Sequence, residues 1–145
     1  MKVLTIEQMN RLKELGVDVK PKGTCLMYTS DSSDCYYLKY GESTCEDDVK
    51  AFTLHDIIEL LPKQLPCDDF GFNCLLITPN LGLTGYVFHY TDNADGEIYK
   101  QIYSEDILQS AYEMLIWVIE KGKTSLQAAY NMLIWVIENG YLKTK

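Results

Sequence analysis

Apolar residues recur at helical spacing in the opening segment: Ile6, Met9, Leu12 and Leu15 share one face, with Glu7, Asn10, Lys13 and Glu14 elsewhere. Thr5, three residues before Gln8, supplies a capping box and Gly16 a stop, so the pattern predicts a helix from there to about Leu15. Two β-rich runs follow, Thr24 to Thr29 and Cys35 to Tyr40, separated by the turn residues Ser30 to Asp34, and they predict a hairpin. Thr53 caps a short helix over Leu54 to Leu61, which Pro62 ends. Phe72 to Thr78, Thr84 to Tyr90 and Ile98 to Tyr103 are three further strands, the last two joined by an Asp95-Gly96 turn. Alternation puts Tyr86, Phe88 and Tyr90 on one face, and Tyr99 with Tyr103 on one face of the next strand.

The C-terminal pattern is different. Leu108 to Gly122 recurs eighteen residues later as Leu126 to Gly140, with differences only at Ser110/Ala128, Glu113/Asn131 and Lys121/Asn139. Asp106 with Gln109 and Thr124 with Gln127 are equivalent capping boxes or close variants of them, and Gly122 and Gly140 stand at C-caps. The copies, 106–122 and 124–140, therefore read as two tandem helices, against one continuous helix in which a spacing of eighteen residues puts both copies in phase. In the first copy, Gln109, Glu113 and Glu120 cluster on one side, Trp117 falls at the edge of that stripe, and apolar residues cover roughly two thirds of the circumference. Such a helix needs cover on several sides. Burying one copy is worth on the order of 10 kcal/mol before entropy, and a bare duplicate leaves a patch soluble monomers rarely carry. Self-association through Tyr112, Ile116, Trp117, Tyr130, Ile134 and Trp135 is the expectation, against an intramolecular hairpin.

The order of elements is α-ββ-α-βββ-αα, an α+β fold with an antiparallel sheet of about five strands covered by helices. No linker divides residues 1–145, so one domain is expected. The start, MKVLTIEQMNRLKEL, carries charges where a signal peptide needs an apolar stretch, which makes the cytoplasm the expected location and a membrane an unexpected partner.

The net charge is −8, with twelve lysines and one arginine, Arg11. A protein that grips phosphate backbones needs a basic field and bidentate arginines, so no nucleic-acid polymer is expected as partner. The acids gather in segments read as solvated loops, among them Glu42 to Asp48 and Asp92 to Glu97. The latter lacks the ligand spacing of a calcium loop. Five cysteines, Cys25, Cys35, Cys45, Cys67 and Cys74, have no CxxC spacing and read as free thiols, with no metal site expected. No phosphate-binding glycine loop is present, and nothing local pairs a thiol with His55 or His89. An enzyme is therefore not expected, nor a cofactor. The surplus is in tyrosine, eleven in all. Tyr28, Tyr36, Tyr40, Tyr86, Tyr90 and Tyr99 fall in predicted strands and are candidates for a stacked ligand or a partner surface, with cross-strand packing as the alternative.

The closing run Ala128 to Leu142 resembles the end of short, uncharacterised proteins of gut-bacterial prophages and mobile elements. Leu4 to Met9 with Leu12 to Asp18, and Ala51 to Lys63, are similar to that group too. The group ends in one such helix, so the doubling is a departure. The resemblance implies an accessory role and carries no activity. Two functions are expected on this reading: a non-enzymatic, self-associating interaction protein that engages a host protein, or a sponge for a small signalling nucleotide in a tyrosine-lined pocket.

Overall fold

The computed structural model describes residues 2–30, 35–66, 72–80, 84–92 and 96–121. It is α+β. Helix α1, Ile6–Glu14, starts on the Thr5 hydroxyl, which accepts the Gln8 amide while the Gln8 side chain accepts the Thr5 amide, a reciprocal capping box. Glu7 in the first turn and Arg11 and Lys13 in the last complement the helix dipole. Gly16, at φ 95°, takes the left-handed conformation that ends the helix. Met9 and Leu12 are fully buried.

Strands β1, Cys25–Ser30, and β2, Tyr36–Gly41, form the expected hairpin, with Leu26 opposite Tyr40 and Tyr28 opposite Leu38. A two-residue strand β3, Val49–Lys50, pairs on the other side of β1, giving the order β2-β1-β3. The 42–48 connection is not wholly solvated as its composition suggests. Asp48 is buried, and its Oδ2 accepts the Ser43 hydroxyl and the amides of Thr44 and Cys45. One carboxylate thereby satisfies the donors of a tight turn.

Helix α2, Leu54–Leu60, repeats the capping box with Thr53 and Asp56. Strands β4, Gln64–Pro66, β5, Phe72–Pro79, β6, Tyr86–Asp92, and β7, Ile98–Ser104, form an antiparallel meander in that order. The sheet read as one of about five strands is thus two sheets, of three and four. The short strands β3 and β4 carry too few residues for a visible alternation. The hairpin between β6 and β7 closes through Gly96, φ 74°, whose amide donates to the Asp92 carbonyl.

Helix α3 occupies 107–121, the first copy of the repeat. Asp106 caps it: Oδ1 accepts the Leu108 amide and Oδ2 takes the Lys2 ammonium at 2.6 Å. The expected box with Gln109 is a variant, because the Gln109 side chain accepts from Gln8 and donates to Glu113 instead. Leu108, Ala111, Met114 and Leu115 enter a core shared with Leu4, Met9, Leu12, Val49, Phe52, Ile57, Phe88 and Tyr90. One core therefore joins α1, α2, α3 and both sheets. The second copy, 124–140, with Tyr130, Ile134 and Trp135, lies outside the described residues.

Candidate binding surface

The six candidate tyrosines are not brought to one pocket. Tyr28, Tyr36 and Tyr40 belong to the three-stranded sheet; Tyr86, Tyr90 and Tyr99 belong to the four-stranded one. Two of them are structural. The Tyr28 hydroxyl donates to the Leu4 carbonyl at 2.6 Å, and the fully buried Tyr90 donates to the Pro62 carbonyl at 2.9 Å. Burial raises both phenols above their ordinary value, with Glu7 adding to the effect at Tyr28. Alternation hid this, because it shows which residues share a face and not which face is covered.

Tyr86 and Tyr99 are part-exposed on the second sheet. Tyr99 does not follow the alternation that groups it with Tyr103. Lys100 pairs with Tyr90 and Ile98 with Thr91, which leaves Tyr99 as the extra residue of a β-bulge. Its ring meets Trp117 edge-on, with centroids 5.8 Å apart. Tyr103 instead donates its hydroxyl to the Thr84 carbonyl.

The helix residues expected at an assembly interface are engaged within the chain. Tyr112, Ile116 and Trp117 are half-buried against the core. Trp117 also lies 6.3 Å from the Tyr90 ring. The sheet covers one side of this indole, and its place at the edge of the polar stripe lets its outer part reach Tyr99.

Strand β2 is where the tyrosines are most available. It is an edge strand, with exposures of 38% at Tyr36, 46% at Leu38 and 73% at Tyr40. Tyr40 also rims a groove of ≈ 420 Å³ that runs past Cys25, Leu26, Ala51 and Thr53 to Lys50 and Asp56. A second groove of ≈ 210 Å³ adjoins it across the same pair and takes in Asp18, Lys20, Lys22, Phe52 and Glu59. These two grooves therefore meet at one ion pair. Lys50 Nζ lies 3.3 Å from Asp56 Oδ1, while Asp56 Oδ2 accepts the amide and hydroxyl of Thr53. Burial raises the Asp56 pKa, but the Thr53 donors and the Lys50 ammonium outweigh it and hold the carboxyl below its ordinary value. Lys22 is likewise paired, with Asp18 at 3.2 Å. The sequence offered no signal for this groove, because its residues come from β1, β2, β3 and α2.

The histidines and thiols assemble no dyad among the described residues. His89 Nε2 and Nδ1 share hydrogen bonds with the hydroxyls of Thr78 and Thr91, and His55 is exposed. Cys25, Cys35, Cys45 and Cys74 are free thiols. Among the described residues no cluster of His, Cys, Asp and Glu is placed to hold a metal, and no helix is long and apolar enough to cross a membrane. No family model, curated protein or solved structure matches this chain.

Proposed function

We propose that this is a non-enzymatic binding protein, of the mobile-element kind its sequence resembles, that joins a second copy of itself through the edge strand β2. The observation that carries the reading is the exposure of Tyr36, Leu38 and Tyr40 along a six-residue edge. Natural sheets blunt long edges with charge, proline or a covering element. Here Lys39 is the single charge on β2, and β1 is its sheet partner among the described residues. An antiparallel pairing centred on Leu38 converts two three-stranded sheets into one of six. The same two-fold relation sets Tyr40 of one copy against Tyr36 of the other and Leu38 against Leu38, all on one face, so the contact is self-complementary. Tyrosines supply contact area there at low cost in side-chain entropy.

Light scattering at micromolar concentration tests this. A dimer is expected, and Leu38→Lys or Tyr40→Lys converts it to a monomer with an unchanged circular-dichroism spectrum. A wild-type monomer, or a dimer indifferent to both substitutions, overturns it.

A further inference from the structure

At the end of α3, two lysines of the chain rest on its aromatic rings. Lys121 Nζ stands 3.9 Å from the centroid of Tyr99 and 5.3 Å from that of Trp117. Lys100 Nζ lies 5.5 Å from the same indole. Tyr99 and Trp117 meet at 69°, so their rings form two walls of a corner, and Tyr90 backs the indole from the core. One ammonium within reach of two ring faces is the arrangement by which proteins recognise cationic nitrogen.

We propose that this corner is a binding site for alkylated ammonium groups, held closed by Lys121. Three physical points support it. A primary ammonium such as that of Lys121 is strongly hydrated and remains at an exposed position, which limits its attraction to the rings. A methylated ammonium sheds water more easily and buries methyl surface against the same walls. Charge does not oppose the exchange. A ligand that displaces Lys121 leaves the number of cations on the corner unchanged, and the protein's net charge of −8 draws cations towards it. The released lysine also regains rotamer freedom.

The repeat supplies the variant that isolates Lys121. Position 121 is one of the three at which the copies differ, and Asn139 stands at its equivalent. An asparagine there carries no cation. Lys121→Asn therefore removes the competitor with a residue already used at that place in the same helical sequence.

The experiment is a fluorescence titration in Trp135→Phe protein, where Trp117 is the single indole. Tetramethylammonium chloride is the probe and sodium chloride the ionic-strength control. A saturable change is expected in the parent, tightening about two- to five-fold with Lys121→Asn, as loss of one exposed cation–π competitor implies. It disappears with Tyr99→Leu, a substitution at a part-exposed position whose fold is checked by circular dichroism. Choline and trimethyl-lysine amide, titrated alongside, distinguish a free amine from a methylated side chain as the source, and tighter binding of either supports the corner. Equal affinity in the parent and Lys121→Asn, no saturable change beyond that of sodium chloride, or binding that survives Tyr99→Leu overturns the proposal.

Discussion

The Tyr90 hydroxyl donates to the carbonyl oxygen of Pro62 at 2.9 Å, so a residue of the central strand β6 holds the end of α2 from within the core. Tyr90→Phe removes the donor and leaves that carbonyl to find water. The expected loss is about 1 kcal/mol, the usual net worth of such a bond. Tyr90→Ala also empties the space beside Trp117 and is expected to cost about 3–5 kcal/mol. Urea denaturation of both variants separates the bond from the ring.

Ser110 gives the opposite sign. Its side chain is fully buried on α3 and its hydroxyl oxygen has no hydrogen-bond partner among the described residues. A buried, unsatisfied hydroxyl is a cost, and the second repeat carries Ala128 at the equivalent position. Ser110→Ala is expected to raise stability by about 1 kcal/mol, or the melting temperature by about 3 °C. A rise in denaturation midpoint at constant slope against urea checks it.

Acid should unfold the protein through specific aspartates. Burial raises the Asp48 carboxyl, but the Thr29 and Ser43 hydroxyls and the Cys45 and Thr44 amides together bring it below its ordinary 3.8. Asp106 is lowered chiefly by its Lys2 hydrogen bond, against burial and with help from the Leu108 and Gln109 amides, and Asp56 is lowered as described. A carboxyl depressed on folding contributes stability that is complete above its unfolded value and lost as pH falls through its folded one. Stability is therefore expected to be level above about pH 5 and to fall below pH 3.8. Asp48→Asn, which places an amide among donors, is expected to cost about 2 kcal/mol at neutral pH. Its difference from the parent should shrink below pH 3.8, a trend read from melts at stepped pH.

Two glycines provide a paired test of backbone against space. Gly85 has φ 92°, and a Cβ there would stand 2.5 Å from the Ser104 carbonyl oxygen and 2.9 Å from the Glu105 Cα. Gly16 has φ 95°, and a Cβ there would meet nothing within 4 Å among the described residues. Gly16→Ala is expected to cost about 1 kcal/mol for its left-handed conformation alone. Gly85→Ala adds a backbone collision and should cost at least about 2 kcal/mol more, a difference visible in thermal melts.

Local signals in the chain proved readable because they are satisfied locally. Thr5 with Gln8 and Thr53 as a cap act within one helical turn, and each opens a helix at the expected residue. The β1–β2 hairpin and the three long strands of the second sheet follow from alternation over runs of six to eight residues. Most of what was hidden depends on residues far apart. The break into two sheets rests on β3 joining β1, which is settled by Val49 meeting Tyr28 across twenty residues of chain. Burial of Asp48 depends on donors in its own turn that look like loop residues. The groove at Lys50 and Asp56 exists only once α2 lies beside the first sheet, so composition could not expose it.

The bulge in β7 has a consequence in evolutionary terms. Tyr99 reaches Trp117 because one residue stands between the pairs Tyr90–Lys100 and Thr91–Ile98. Loss of the single codon for Ile98 would let Tyr99 pair with Thr91 in regular alternation and turn the strand's end over, while Tyr90, Tyr99 and Trp117 all stayed in the gene. An insertion of one codon would do as much in reverse. The corner is thus held by the length of the strand as much as by the identity of its rings, and indels there, more than substitutions, are the changes that would make or unmake it.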